Sequence, residues 1–437
     1  MKRISGRVIA ATAVIVLTGA GLTACSSSGS TAQVDAGGGN YDGPKVTVSF
    51  WNGFTGGNAL DLVPKLITQF NSENPNIVVK SSPMQWADLD AKMPLALKAG
   101  KGPDLAVAHG EDVATYAAQG LVIPADETMK TLGYTESEFP PGVVAAGNYA
   151  GKQYGIPWSI TPLGLYVNKA ALSNAGLDPN TAPTDAASMT AALAQLKAAG
   201  AEGLWVSGYR YTDGLMFESL LWQYGGELFN DDLTASAFNS DAGVKALTYM
   251  TDMIKDGYSP PNVAEGGTLK AFITGDSAFS WQGVWTSSDP SFATVDWTAI
   301  PVPQIGTEKA VRTGSTHWMF MQNKNQDPNK TAAAVTFVQW MNEHSMDWAS
   351  SSELPALNTV REDPALLKTY PVLAPFIDSL SFSRYYPSKP GIGNVIKLIT
   401  PAISEAMLGK KTPKQALDDA AVTANQLLER NASQYGG

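Results

Sequence analysis

Four carboxylates stand out as groups that could do chemistry. Glu111 and Asp112 are adjacent after an apolar run, and Asp213 and Glu218 lie in an aromatic stretch. Two facing carboxylates can run acid–base hydrolysis of a glycoside. The chain, however, carries no HExxH, GxSxG, P-loop or CxxC pattern that would frame a known catalytic machine. Its three histidines, His109, His317 and His344, are too few to suggest a histidine-built metal centre. Its single cysteine, Cys25, rules out an intramolecular disulfide. The surplus is aromatic: 11 Trp, 15 Tyr and 14 Phe in a chain that is only 16% charged, against about 25% in an average domain. Aromatic faces set among short polar groups suit holding a ligand.

The 437 residues suggest two or three domains. At 44% hydrophobic they can bury large cores, which excludes wholesale disorder. The net charge of −10 has the wrong sign for non-specific nucleic-acid binding. Lys2, Arg3 and Arg7 flank the apolar run Val8–Leu17, which is too short to span a membrane. Leu22-Thr23-Ala24-Cys25 then looks like the lipobox of bacterial lipoproteins. That likeness implies removal of residues 1–24 as a signal peptide and diacylation of Cys25. Loss of the three basic residues would take the net charge from −10 to −13. Residues 25–44 are Ser/Gly-rich without an apolar period, the composition of a flexible tether. The expected location is outside the cytoplasm, with the membrane touched through the lipid anchor only.

These candidate residues must be positioned by regular elements. Lys45–Trp51 alternates apolar and polar residues and predicts a strand. Ala59–Asn71 has helical spacing and is stopped by Asn74-Pro75. Ile77–Lys80 and Leu105–Ala108 predict further strands, with a helix over Trp86–Ala99 between them. Beyond residue 150, strands are predicted at Leu163–Asn168 and Ser277–Trp281. Helices are predicted at 186–199, 216–224, 242–255, 331–342 and 413–430. Strands alternating with helices imply βαβ units and largely parallel sheets.

Seven stretches taken in order resemble the extracellular solute-binding proteins of ABC importers, in the carbohydrate-binding group with maltose-, trehalose- and glycerol-phosphate-type receptors. They are VTVSFWNGFTGG (46–57), FNSENPNIVV (70–79), GKGPDLAVAHGEDVATYAAQGLV (100–122), GKQYGIPWSITPLGLYVNKAAL (151–172), FITGDSAFSWQGVW (272–285), WMNEHSMDWASSSELPA (340–356) and GKKTPKQALDDAAVTANQLLE (409–429). The resemblance implies an α/β, periplasmic-binding-protein-like fold: two α/β lobes joined by a hinge, with the ligand cleft between them. Crossings between lobes are expected near Trp158, Pro301–Arg312 and Leu354–Thr359. Lobe 1 would be 45–157 plus 310–356, and lobe 2 would be 158–309 plus 357–437. It further implies a monomeric receptor that hands a sugar, in our reading an oligosaccharide, to ABC permease subunits. No catalytic residue, cofactor, metal or nucleic acid is expected.

A sugar needs platforms for its C–H faces and short polar groups for its hydroxyls, placed just after strand ends. Asn52 and Phe54 follow the first strand, Gln85 the second, and His109 and Glu111 the third. The resemblance puts a hydroxyl-holding carboxylate at Glu111. Ser159 and Thr161 sit at the first crossing, and Phe217 and Trp222 in the aromatic stretch. Trp281, Gly283 and Trp285 form the most specific local signal, with Trp285 at the family's stacking tryptophan. Ser315, His317 and Trp318 follow the second crossing, and Arg384 could cap the cleft. Receptors for glycerol phosphate in this group carry an Arg before Leu-Gly-Asn near the C-terminus; here Gly391 occupies that place, with Arg384 or Arg312 as conceivable substitutes. That departure favours a neutral sugar over a glycerol-phosphate diester. A quaternary-amine receptor, a glycan-binding adhesin and a lipid-anchored hydrolase are the rival readings.

Overall fold

The computed structural model describes residues 41–436 except 181, 209, 210 and 265, and leaves the side chains of 211–213 undescribed. The expected signal peptide, Cys25 and most of the expected tether therefore lie outside the described residues. Among those described, no helix is long and apolar enough to cross a membrane.

The alternating β-branched segment forms strand β1 (Val46–Asn52). It runs parallel to β2 (Ile77–Pro83) and β3 (Leu105–His109). Helix α1 (Ala59–Glu73) buries Leu62, Val63, Leu66, Ile67 and Phe70, the face its spacing demands. Helices α2 (Trp86–Lys98) and α3 (Gly110–Ala118) complete the first βα layers. A short hairpin, β4 (Asn148–Tyr149) with β5 (Lys152–Gln153), stands apart from the main sheet.

The main sheet has ten strands, which include β6 (Ile156–Asn168), β7 (Glu202–Leu204), β8 (Ser277–Gly283), β9 (Trp297–Pro301), β10 (Val311–Phe320), β11 (Leu354–Pro355) and β12 (Ser383–Arg384). Its central path runs β2-β1-β3-β10-β6-β8-β7. The largely parallel sheet read from sequence needs correction here. The β2-β1-β3 and β8-β7 pairs are parallel, but β10 and β6 run antiparallel to their sheet-path neighbours. An antiparallel pair needs no right-handed βαβ unit between its two strands, and β6 and β10 are not joined as one.

Strand β6 is longer than the predicted Leu163–Asn168, because Pro157 and Pro162 read as breakers. Through Pro162 it pairs with β10 and β11; from Leu163 it pairs with β8 and β9. Pro162, which has no N–H to donate, stands at that change of partner. All 13 residues of β6 and all 10 of β10 are buried, so this pair forms a covered spine.

Two large hydrophobic clusters flank it. One gathers β1–β3, α1 and the helix Pro328–Glu343, and the other β7, β8 and the helices Tyr211–Gln223 and Asp241–Lys255. Phe272, Val284, Phe292 and Ala299, in the segment expected to serve lobe 2, pack into the first cluster around Tyr166.

Candidate functional site

Glu111 enters from the first turn of α3, directly after β3. Arg312 is the second residue of β10. Glu218 lies on the helix Tyr211–Gln223, in the other half of the molecule. The Arg312 guanidinium is 3.5 Å from a Glu111 oxygen and 3.9 Å from a Glu218 oxygen, and its side chain is only 3% exposed. The Tyr386 ring covers that guanidinium at 4.6 Å, and its hydroxyl donates to Glu218. Gly314 makes the room: a Cβ there would come within 2.5 Å of Arg312 Nη1 and 2.7 Å of Thr161 Oγ1. Burial pushes the Glu218 carboxyl up to about 7 against the pull of Arg312. Asp112, beside Glu111, is raised well above its ordinary value by burial and then by Asp90 and Glu111.

The two halves touch around this cluster. Thr115 Oγ1 of α3 accepts from the Gly391 N–H at 2.8 Å, Lys397 meets Asp90 at 3.1 Å, and Gln119 donates to the Tyr435 hydroxyl at 3.1 Å. Ser388 donates to the carbonyl of Asn148. Beside these contacts the same two parts of the chain leave a cavity of about 860 Å³, with Phe139, Val144 and Tyr149 on one side and Asn358, Arg361 and Leu380 on the other.

An aromatic shelf lies beside Glu111. Trp86 and His109 sit with ring centroids 4.1 Å apart, and Phe54 meets Trp86 edge-on at 5.6 Å. Burial pulls the pKa of His109 down, which favours its neutral form. Trp285 is half-buried, packs against both hydrophobic clusters and lies over Gly283. A Cβ on Gly283 would fall 2.0 Å from that indole, so only glycine lets the ring lie so close to the backbone. Trp281 is buried in the second cluster with no hydrogen-bond partner for its indole N–H. Trp222 and Arg384 meet in a cavity of about 260 Å³, with the guanidinium 5.4 Å above the indole and paired with Glu227.

Other candidates are committed to structure. Phe217 is fully buried in the second cluster, and Trp318 is wedged among Phe50, Trp158 and Phe337. Both are core side chains, because each lies on the inward face of its element. Asn52 is fully buried; it donates to Ser81 Oγ at 2.8 Å and accepts from the Phe54 N–H at 3.2 Å, so it builds the loop after β1. Phe54 is 5% exposed, and its edge-on contacts with Trp86 and Trp348 make it support for the shelf. Gln85 is exposed at the start of α2. Ser315 Oγ and His317 Nε2 are 2.9 Å apart, and His317 Nδ1 faces the Gly155 carbonyl at 3.4 Å. Burial lowers His317 to about 4, so it stays neutral. Thr161 is buried beside Arg312 and Gly314.

Ser159 belongs to the hinge. It donates to Glu353 and lies 2.6 Å from Thr316 Oγ1. Ser159 is on β6, Thr316 on β10, and Glu353 immediately precedes β11, so the three are gathered where these strands pair.

Sequence reasoning left Arg312, Glu218, Tyr386 and Glu353 out of the core of the site. For Arg312 a signal existed: it is the only charge in the otherwise uncharged run Ala310–Gln322, and a lone charge on a buried strand calls for a partner. The partners come from segments more than 70 residues away in sequence, and no local pattern points to them.

Residues 65–375 match the family model for bacterial extracellular solute-binding proteins. The chain belongs to that family. Among its relatives is the sn-glycerol-3-phosphate-binding periplasmic protein of Escherichia coli K12, 25% identical over 88% of this chain and 93% of that protein. The cyclic α-maltosyl-1,6-maltose binding protein of Arthrobacter globiformis superposes with a TM-score of 0.71 at 25% identity, covering 89% of this chain and 100% of that one. The GacH receptor of Streptomyces glaucescens, solved unliganded and with acarbose, gives a TM-score of 0.78 at 23% identity over 89% of this chain and 99% of that chain. The fold is periplasmic-binding-protein-like, and the members of this family are binding proteins.

Proposed function

We propose that this protein is the extracytoplasmic receptor of an ABC importer for a neutral carbohydrate, in our reading an oligosaccharide. The observation that carries this is the buried Glu111–Arg312–Glu218 cluster, which draws on both halves of the molecule. Carboxylate oxygens accept from sugar hydroxyls and a guanidinium donates to them. The Trp86–His109 shelf and Trp285 on Gly283 offer flat faces for C–H surfaces on either side. Lobes 45–157 plus 310–356 and 158–309 plus 357–437 would open about the β6 and β10 crossings and close on the ligand. No chemistry is done on it: each carboxylate of the cluster faces Arg312. The receptor works as a monomer, held at the membrane by acyl chains on Cys25, and passes its ligand to the permease.

A thermal-shift panel tests this with maltotriose and other neutral oligosaccharides, glycerophosphodiesters and quaternary amines. Stabilisation by a ligand grows as RT ln(1 + [L]/Kd), about 2.7 kcal/mol at a hundredfold excess over Kd. Neutral oligosaccharides are expected to raise the melting temperature and to be recovered intact. A shift confined to glycerophosphodiesters or quaternary amines would overturn the sugar reading, and cleaved oligosaccharide would overturn the binding-only role.

A further inference from the structure

We propose that Arg312 and its two carboxylates form a charge-saturated filter, with Glu111 and Glu218 as specificity-determining residues that keep phosphate-bearing solutes out of the cleft. This rests on the reading of the cluster as the ligand site. It goes further by saying which ligands the site must refuse and which atoms refuse them.

Arg312 is the obvious phosphate receiver. It is buried at the junction of the two halves, and a guanidinium fork matches phosphate geometry. Its charge is nevertheless already answered from both sides, by Glu111 at 3.5 Å and Glu218 at 3.9 Å. The Tyr386 ring occupies one face of the guanidinium, and the Tyr386 hydroxyl holds Glu218 in place. A phosphate seated on Arg312 would lie within a few ångströms of two carboxylates, and a like charge at that range is strongly unfavourable where water is excluded.

Among the described residues, the neighbouring cations offer no substitute. Arg384 pairs with Glu227 and lies over Trp222. The Arg361 guanidinium donates to the carbonyls of Pro355 and Ala356 and to Asn358. Lys397 meets Asp90 at 3.1 Å. Asp112, next to Glu111, is held towards its neutral form by burial and brings no cation either. A neutral polyol meets no such repulsion and can use the carboxylates as acceptors.

The test uses the mature chain and isothermal titration at pH 8, where Glu218 is ionised, with three probes: maltotriose, sn-glycerol 3-phosphate and inorganic phosphate. Wild type is compared with Glu218→Gln, Glu111→Gln and the double variant, each first checked for a cooperative melt. Removing one like charge should raise the affinity for inorganic phosphate by at least about tenfold, and removing both by more. Tyr386→Phe, which frees Glu218 while keeping the ring over Arg312, serves as the conservative variant if Glu218→Gln does not fold. Its expected gain is smaller but in the same direction. The filter is overturned if folded Glu→Gln variants bind phosphate no better than wild type, or if wild type already binds sn-glycerol 3-phosphate as tightly as maltotriose. If wild type binds no sugar but the variants gain phosphate, the filter stands and the sugar reading fails. If wild type binds maltotriose and the variants gain nothing, the sugar reading stands and the filter fails.

Discussion

Two buried acids, Glu218 and Glu353, make the most instructive pair in this molecule. Burial pushes both up to about 7. Glu218 faces a cation whose other partner, Glu111, comes from the opposite side of the cleft. Glu353 faces the Ser159 hydroxyl, itself 2.6 Å from Thr316 Oγ1; Ser159 and Thr316 sit on the paired strands β6 and β10, and Glu353 directly before β11. The difference lies in what moves. Under the proposed cleft opening, Glu111 would part from Arg312, whereas the Ser159 trio would keep its neighbours. Residues of the first kind should therefore be felt in binding, and residues of the second kind in stability.

The largest expected effect falls on the cleft side. Trp285 is half-buried at the border of both hydrophobic clusters and does not fill either. Trp285→Ala should lower affinity for the bound oligosaccharide by at least about tenfold, as the loss of one stacking face would. It should cost only about 1–2 kcal/mol of stability, because a half-exposed ring leaves no closed cavity. Titration calorimetry with a urea melt separates the two. Unchanged affinity alongside a large loss of stability would move Trp285 into the hinge class and blur the distinction.

The next effect is a pH dependence with a defined sign. A carboxyl near 7 in the folded state and about 4.5 when exposed binds its proton more tightly when folded. Its stabilising contribution is greatest near pH 4.5, falls as pH rises towards 7 and is flat above that. For Glu353 the fall should be on the order of 1–3 kcal/mol. Glu353→Gln, which stays neutral, should flatten its share of the fall without altering ligand affinity at fixed pH. Glu218 contributes a fall of the same sign, so Glu218→Gln should also change binding where Glu353→Gln does not. Chemical denaturation at pH 5, 6, 7 and 8 reads the first effect. A Glu353→Gln profile that keeps the full slope would detach the hinge carboxyl from it.

Much of this architecture was legible in the residues themselves. The alternation of Lys45–Trp51 and the helical spacing of Val63, Leu66, Ile67 and Phe70 are local patterns, and the structure follows both, except that Leu60, expected on the same face, is exposed and Leu62 is buried in its place. Strand β6 was half-hidden because Pro157 and Pro162 break strands in isolation; here β10 on one side and a change of partner at Pro162 accommodate them. The candidate site was legible where a strand ends in a polar loop, as at His109 and Glu111. It was not legible where chemistry depends on distant pairing. Ser159 and Trp318 look like equivalent post-strand candidates, yet one is taken up by Glu353 and the other by an aromatic core. Glu353 gave no sign of itself, because its hydroxyl partner lies 194 positions earlier in the chain.

The smallest expected effect is also the sharpest separation of the two classes. Ser159 donates to the ionised Glu353, which favours the charged form and holds its pKa below where burial alone would put it. Ser159→Ala removes that donor and leaves a buried carboxylate short of a partner. At pH 8, where Glu353 is ionised, the loss should be about 1–2 kcal/mol. At pH 5, where the folded protein already holds the proton, the loss should be smaller. In a Glu353→Gln background the pH dependence of the Ser159 effect should disappear, because nothing remains to ionise. Ligand affinity should stay the same in every combination. A loss of affinity in Ser159→Ala with no pH-dependent stability change would return Ser159 to the cleft, and the contrast between a moving cluster and a fixed one would have to be redrawn at β6.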